Sequence, residues 1–422
     1  MRRRDYPGWR MVWALAATET VSYGVLYYAF AAFLPAMQRS LAYSQTTLAG
    51  AFSLSVLVTG AGAIPAGAWL DRRGARGLMT TGSVLAAGSV LLWAHVDSTL
   101  ALYLTFTGMG LAGAAVLYEP AYATVNAYFD TGRQNALLAL TMVAGLASTI
   151  FVPASSLLII HLGWRHALVV LTIVEGATIV PHFLLVRRRP ADQGWLRDGT
   201  GRTPIMRGPP SPRPAAEKRP SRPVGRQVRQ ALRYQPVAYV TAAAVLGSAA
   251  IAAVAIYLLS YLRQDGYSLA VAAIATGALG VVQVAGRVVL TVSARRVPIA
   301  MATALMLGGQ AAGVVALLLI RNAAGVVLFV LLFGLGFGVL HIARPDLLAQ
   351  YAPRPLFARL SGVQALLVII GEATAPTAAA ALHTITGSYT PTFIAVGACS
   401  LTAALLFAAA DRAHRKEQGR PV

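Results

Sequence analysis

The chain alternates long apolar runs with short polar segments. Twelve runs are about 20 residues or longer, enough to cross a bilayer as a helix. Lipid offers the backbone no hydrogen-bond partner, so spanning segments must be helices or parts of a closed barrel. Runs such as Val326 to Phe333 lack the alternation of barrel strands. The pattern therefore predicts an all-α membrane protein with twelve transmembrane helices. The predicted spans are residues 11–37, 45–70, 78–95, 99–128, 134–160, 166–186, 236–262, 269–293, 298–320, 323–350, 358–383 and 390–410.

The charge of the chain fixes its expected orientation. Only 12% of residues are charged, against about 25% in soluble domains. The net charge of +20 would alone suggest a nucleic-acid partner. Of the 35 Lys and Arg residues, however, 29 fall on the side of the N-terminus, four fall on the other side, and Arg287 and Arg344 lie within spans. Because cytoplasmic loops carry the basic excess, we predict cytoplasmic termini, a plasma (inner) membrane location and no nucleic-acid partner.

The two halves of the chain resemble each other. An Arg- and Pro-rich segment divides the twelve spans six and six, so we predict an N-terminal bundle over 1–186, a poorly ordered cytoplasmic linker over 187–235 and a C-terminal bundle over 236–422. Such duplication is typical of secondary transporters, whose substrate site lies near the membrane midplane between the halves. Matching positions are Tyr43-Ser44 and Tyr267-Ser268, Gly62 and Gly286, Gly108-Met-Gly110 and Gly334-Leu-Gly336, Glu119-Pro120 and Arg344-Pro345, Arg133 and Arg359, and Gly145 and Gly371.

The loop between spans 2 and 3 reads Gly67-Ala-Trp-Leu-Asp71-Arg72-Arg73-Gly74-Ala75-Arg76. It resembles the major facilitator superfamily signature G-x-x-x-D-[RK]-x-G-[RK]-[RK], departing only at Ala75. The resemblance implies the superfamily fold, with two pseudo-symmetric six-helix bundles. An Asp at a helix end can hold basic side chains of the loop, and a Gly permits a tight turn. In the family this loop steadies the outward-open state, a role the resemblance gives to Gly67, Asp71, Arg72, Gly74 and Arg76.

Two further segments resemble the monocarboxylate-porter and oxalate/formate-antiporter branch of that superfamily. They are Pro7-Gly8-Trp9-Arg10 and the pattern Tyr128-Phe129-x-x-x-Arg133-x-x-Ala136 at the start of span 5. The regularly spaced Gly and Ala that follow in the branch are replaced here by bulkier residues. This resemblance implies a small organic anion as substrate and a functional Arg in span 8.

Polar side chains inside the spans are the candidates for transport, because ionisable groups are costly in a bilayer. Span 1 carries one face with Glu19, Tyr23 and Tyr27, which we expect to line a cavity; alternatively, Glu19 lies near an interface or packs on a neighbouring helix. The other candidates for the cavity are Tyr122, Asn126, Gln283, Arg287 and His341.

Arg287 requires a counter-charge at mid-membrane. Its guanidinium can bind a substrate carboxylate through two parallel hydrogen bonds. The alternative partner is an acid of the protein, Glu19 or Glu372.

The repeat places Glu119 and Arg344 at equivalent positions in the two halves. We predict an ion pair between them, direct or through the substrate, that closes the cytoplasmic gate and breaks when the protein opens inward. The neighbouring prolines would let these helices bend. Alternatively each charge is satisfied within its own half, Arg344 by Asp346 or a carbonyl.

Glu19, Glu119 and Glu372 are the candidates for proton coupling, because an apolar environment favours a neutral carboxyl group. Glu175 in span 6 is expected to cap or pack. The G-x-G-x-x-G pattern at Gly108 lies in an apolar helix rather than after a strand, and we predict no cofactor, no metal site and no enzymatic activity.

The sequence therefore predicts a secondary active transporter, a functional monomer that moves a small organic anion by alternating access with proton coupling or exchange. One alternative is proton-driven efflux of an amphipathic or cationic compound. A membrane-embedded enzyme or receptor is the alternative of another class.

Overall fold

The computed structural model describes residues 6–187, 195–199, 233–352, 356–417 and 419. Long helices dominate these residues, and they follow the predicted spans closely. In chain order they are α1 Pro7–Leu41, α2 Gln45–Arg73, α3 Ala75–Ala94, α4 Thr99–Tyr128, α5 and α6 within Arg133–Leu184, α7 Gln235–Gln264, α8 Leu269–Ser293, α9 Ile299–Leu319, α10 Ala323–Tyr351, α11 Phe357–Thr386 and α12 Thr390–Glu417.

The segment Arg133–Leu184 contains two crossings rather than one. It is 52 residues long, about 78 Å as a straight helix, which is more than twice the hydrocarbon thickness of about 30 Å. The helical conformation breaks at Gly163, where φ is 76°. Ala136 near its start and Val186 just after its end pack in the same apolar core, so the chain crosses and returns. We therefore separate α5 (133–162) from α6 (164–184), and the predicted fold of twelve helices is confirmed.

Polar side chains cap the N-termini of equivalent helices in the two halves. The Ser44 hydroxyl accepts a hydrogen bond from the N–H of Thr47 at the start of α2, and Ser268 accepts one from Val271 at the start of α8. Ser98 and Asn322 cap α4 and α10 in the same way. These side chains satisfy N–H groups that have no partner within the helix. The repeat seen in the sequence thus also appears in the local structure.

The two bundles meet at one end and separate at the other. We call the end where α1 begins and α12 ends the terminal face, and the opposite end the distal face. One continuous apolar core joins the distal halves of both bundles. Towards the terminal face each bundle has its own core. The shared core is thus distal, and the cavity between the bundles opens at the terminal face.

Hydrogen bonds between the bundles support this division. Near the distal face, Gln45 donates to the Tyr389 hydroxyl at 2.8 Å. Ser53 and Thr377 lie 2.7 Å apart. In the terminal half of α4 and α10, by contrast, Glu119 and His341 are exposed.

Three helices that border the cavity, α1, α4 and α10, are interrupted near their middle. In α1 the segment Gly24–Tyr28 is π-helical, a local distortion that is frequent at functional sites. In α4 the helix ends at Val116 and resumes at Tyr118. Pro120 explains this break, because its ring clashes with the carbonyl four residues earlier. In α10 the break falls at Gly338, between Phe337 and Leu340.

Most of the predicted linker lies outside the described residues, but residues 195–199 dock on the terminal face of the N-terminal bundle. Trp195 is buried, and its ring lies 5.8 Å from that of Tyr6. The carboxylate of Asp198 accepts hydrogen bonds of 2.9–3.1 Å from the loop between α4 and α5. The donors are the N–H groups of Asp130, Thr131 and Gly132 and the hydroxyl of Thr131. This segment is therefore anchored, which differs from the expectation of a poorly ordered linker.

Candidate functional site

Arg287 lies at the centre of the site. It is on α8, is 3% exposed and reaches across to the N-terminal bundle. Its Nη1 donates to the carbonyl of Thr141 on α5, and its Nη2 lies 3.4 Å from Oε1 of Gln283, one turn earlier on α8. Its Nε is buried without a hydrogen-bond partner among the described residues. We call the edge formed by Nε and Nη2 the free edge, although Nη2 has the long contact with Gln283 and the side chain of Tyr118 also lies within hydrogen-bonding range of the guanidinium.

No acid of the protein neutralises this cation in the described part of the chain, where the one ion pair joins Arg415 and Asp411 on α12. Neither Glu19 nor Glu372 lies within ion-pair distance of Arg287. A buried charge without a counter-charge is costly. An anion bound beside Arg287 would supply the missing counter-charge.

Gly338, at the break in α10, lies close to the free edge. A Cβ atom at this position would stand 2.6 Å from Nε of Arg287. Any larger residue would therefore push the guanidinium aside or cover its free edge.

Gln283 makes a second link to α5. Its Nε2 donates to the carbonyl of Gly145 at 2.7 Å. Gly145 lies in the turn between the two helical segments of α5, where regular helical hydrogen bonding is interrupted. Together with the bond from Arg287 to Thr141, this contact ties α8 to the interrupted part of α5.

Aromatic side chains form a wall beside the guanidinium. The ring of Tyr118 lies 4.6 Å from Tyr23 and is stacked on Tyr122 at 5.1 Å. It also lies 6.4 Å from His341 of the other bundle. Tyr27 continues the row, with its ring 6.5 Å from that of Tyr23. Four of the residues predicted to line the cavity thus belong to one aromatic cluster.

The predicted carboxyl groups are spread over three places. Glu119 is exposed and lines a cavity of about 260 Å³ together with Gly67 and Leu70. Glu372 is half-buried on α11. Glu19 is fully buried. It therefore does not line the open cavity, although it shares a helix face with Tyr23 and Tyr27. The alternative, packing against a neighbouring helix, describes its position.

Asn126, a further residue predicted to line the cavity, is exposed near the end of α4.

The two residues of the predicted gate are not paired in this structure. Glu119 and Arg344 do not form an ion pair, although Arg344 lies within electrostatic range of both Glu372 and Glu119. Asp346, the alternative partner of Arg344, instead accepts a hydrogen bond from Gln350 at 3.0 Å. Because the bundles separate at this face, the Glu119–Arg344 pair stays a prediction for the opposite conformation.

The loop motif forms a tight corner between α2 and α3. Gly74 has φ 78° and ψ 177°, and its N–H donates to the Leu70 carbonyl at 3.0 Å. This conformation is open to glycine and strained for other residues. The guanidinium of Arg76 stacks 4.3 Å from the ring centre of Phe183, and Arg72 is exposed. The side chain of Asp71 lies outside the described residues.

Sequence reasoning missed several parts of the site. Tyr118 shares a helix face with Tyr122, so the same periodicity could have identified it. The carbonyls of Thr141 and Gly145 leave no mark in a sequence, because every residue carries one. Within the described ranges, no group of three or more His, Cys, Asp or Glu side chains could hold a metal ion.

Comparisons with known proteins agree with this architecture. Residues 16–368 match the family model of the Major Facilitator Superfamily. Monocarboxylate transporter 13 of Bos taurus is 26% identical over 395 residues, which cover 93% of this chain and 86% of the relative. Monocarboxylate transporter 11 of Homo sapiens is 35% identical over 185 residues, or 41% of this chain and 38% of the relative.

Solved structures share the fold at low sequence identity. A bacterial homologue of the human lysosomal transporter Spinster, in an inward-facing and unoccupied conformation, superposes with a TM-score of 0.73, 14% identity and 98% coverage of both chains. The nucleoside transporter NupG superposes with a TM-score of 0.72 and 12% identity over 96% of this chain and 99% of its own. At these identities the likeness concerns the fold alone.

Proposed function

This chain belongs to the major facilitator superfamily and is a multi-pass membrane transporter, and from that premise we propose that it carries a small organic anion of the monocarboxylate type. The anion binds Arg287 between the bundles and crosses by alternating access. The energy comes from a proton gradient or from exchange against a second anion. The protein works as a monomer.

The observation that carries this proposal is the buried guanidinium of Arg287 without an acidic partner. Its free edge offers two parallel N–H groups, the geometry that a carboxylate accepts. Burial strengthens this attraction, because little water competes for the ion. A cationic substrate would be repelled at the same place.

The surroundings of the guanidinium suit a small anion with an apolar body. The tyrosine cluster of Tyr23, Tyr118 and Tyr122 supplies aromatic surface for a short organic chain and hydroxyl groups for its polar atoms. The names of the curated relatives, monocarboxylate transporters, support the same substrate class.

We place the terminal face, which carries most of the basic residues, at the cytoplasm; in this proposal the structure corresponds to an inward-facing state. In the outward-facing state the distal contacts of Gln45 and Ser53 would open. The terminal ends would close, which brings α4 and α10 together and allows Glu119 to pair with Arg344.

One observation favours a second candidate, the efflux of an amphipathic or cationic compound. Glu119 is exposed to a cavity at the terminal side and could attract a cation from the cytoplasm. Arg287 lies deeper between the bundles and would oppose further passage of that cation, so we favour the anion.

Transport by purified protein in proteoliposomes separates the two candidates. Labelled monocarboxylates, dicarboxylates and amphipathic amines are compared, each with and without an imposed pH gradient. We expect saturable uptake of a monocarboxylate that an excess of unlabelled monocarboxylate inhibits. Uptake of the amines alone would contradict the proposal.

A further inference from the structure

Two acidic side chains are buried together inside the N-terminal bundle, away from Arg287. Glu19 on α1 and Glu175 on α6 both have no exposed surface. Neither oxygen of Glu19 finds a hydrogen-bond partner among the described residues, and Oε2 of Glu175 also lacks one. The other oxygen of Glu175 accepts a hydrogen bond of 2.8 Å from the Ser22 hydroxyl. Three of the four carboxyl oxygens thus have no hydrogen-bond partner among the described residues.

Hydrogen bonds between α1 and α6 bring these acids to one place. Ser22, which binds Glu175, lies three residues after Glu19 and so on the same side of α1. Thr18 immediately precedes Glu19, and its hydroxyl lies 2.9 Å from Nε2 of His182 on α6. Glu175 and His182 therefore meet α1 at positions that bracket Glu19.

The charged and titratable neighbours offer Glu19 no counter-ion. Glu175 and Glu119 are the acids within its electrostatic range, and both would repel a second negative charge. Tyr23 on the same helix and the tyrosines of α4 complete the titratable groups on that side. The ring nitrogens of His182 lie within hydrogen-bond distance of Ser83 and Thr18.

The remaining helices that pack here contribute no cation. Between residues 134 and 160, α5 has no ionisable side chain, and α3 carries only Arg76, at its terminal end. A carboxylate buried without hydrogen bonds or a counter-ion is so costly that the group takes up a proton instead. Two neighbouring buried carboxylates would add their mutual repulsion.

We propose that Glu19 and Glu175 form a proton-binding site inside the N-terminal bundle, separate from the anion site at Arg287. In this conformation the pair holds at least one proton. The exposed Glu119, which lines a cavity, and the half-buried Glu372 are then not the groups that store this proton.

The pair is linked to the cavity through α1. The π-helical segment Gly24–Tyr28 begins two residues after Ser22 and carries Tyr27, whose ring continues the aromatic wall beside Tyr23. Loss of the proton would leave a charge between α1 and α6 and alter their packing at the start of this segment. That step couples the proton to the substrate site, and it alone rests on the proposed transport function.

Infrared spectroscopy of the protein in lipid nanodiscs tests the proton site without any substrate. A protonated carboxyl group has a C=O stretching band that a carboxylate lacks. We expect Glu19→Gln, and in a separate variant Glu175→Gln, to remove or shift intensity in that band at neutral pH. Asp97→Asn is the control, because Asp97 lies in an exposed loop. A band unchanged in both Glu variants would overturn the proposal.

The coupling is tested in proteoliposomes that contain wild type or either variant. We expect a pH gradient to change monocarboxylate uptake by wild type and by Asp97→Asn, and this effect to be lost in the Glu19→Gln and Glu175→Gln proteins. A gradient effect that persists unchanged in both would contradict the coupling. If wild type moves no monocarboxylate at all, the proposed function fails, while the infrared result still decides whether the proton site exists.

Discussion

Replacing Arg287 by lysine keeps the charge of the site but removes its paired donors. Lysine has a single nitrogen at the end of its chain, and that nitrogen can replace Nη1 at the carbonyl of Thr141. It cannot at the same time offer the Nε and Nη2 groups that form the free edge in this structure. A carboxylate would then bind through one donor rather than two.

The size of the effect follows from the lost hydrogen bond. A hydrogen bond to a charged group contributes about 1.5–3 kcal/mol, and each 1.4 kcal/mol corresponds to a factor of about ten in affinity. We therefore expect Arg287→Lys to weaken monocarboxylate binding roughly 10- to 100-fold, with the folded yield of the protein retained.

The assay is the concentration dependence of labelled monocarboxylate uptake into proteoliposomes. Arg296→Lys is the matched control, since Arg296 is an exposed residue shortly after the end of α8 and should leave KM unchanged. Equal KM values for wild type and Arg287→Lys, for every anion transported, would refute recognition through two parallel hydrogen bonds.

Four further predictions concern other parts of the molecule. Gly338→Ala places a methyl group against Nε of Arg287 and should raise KM for the anion without changing the charge of the site, measured in the same uptake assay. Glu119→Arg and Arg344→Glu should each impair transport, and the double exchange should restore it; uptake that stays lost in the double variant counts against the gate. Gly74→Ala forces an alanine to φ 78° and should cost about 1–3 kcal/mol, seen as a lower melting temperature in detergent. Burial raises the pKa of Asp198, but hydrogen bonds from residues 130–132 outweigh it and lower the pKa below 3.8. Its stabilising effect is therefore present above about pH 4 and is lost as the pH falls through the lowered pKa, so wild type and Asp198→Asn should differ in melting temperature at pH 7 and converge in strong acid.

The transmembrane helices could be predicted because the signals for them are local. Length and hydropathy placed the second span at 45–70, and the structure has the helix at Gln45–Arg73. The repeat of Ser44 and Ser268 was visible in the sequence, and both hydroxyls cap their helices. Arg287 could be singled out by position, since an arginine at membrane depth is rare without a function.

The arrangement around these residues could not be predicted in the same way. Much of α1 is packed against other helices, so a shared face with Tyr23 does not decide whether Glu19 meets the cavity or α6. The contacts of Arg287 and Gln283 with α5 use backbone carbonyls, which no residue type reveals. The anchoring of Trp195 and Asp198 was hidden by the Arg- and Pro-rich composition of the segment around them, because composition describes an average and not a single docked turn.

Equilibrium binding to the purified protein shows directly whether Arg287 binds the anion. A monocarboxylate is titrated into wild type, Arg287→Gln and Arg296→Gln. Arg287→Gln removes the buried cation on α8, whereas Arg296→Gln removes an exposed cation shortly after the end of α8. We expect saturable binding to wild type and Arg296→Gln and loss of that binding in Arg287→Gln. Equal binding by all three proteins, or saturable binding of an amphipathic amine in place of the monocarboxylate, would contradict it.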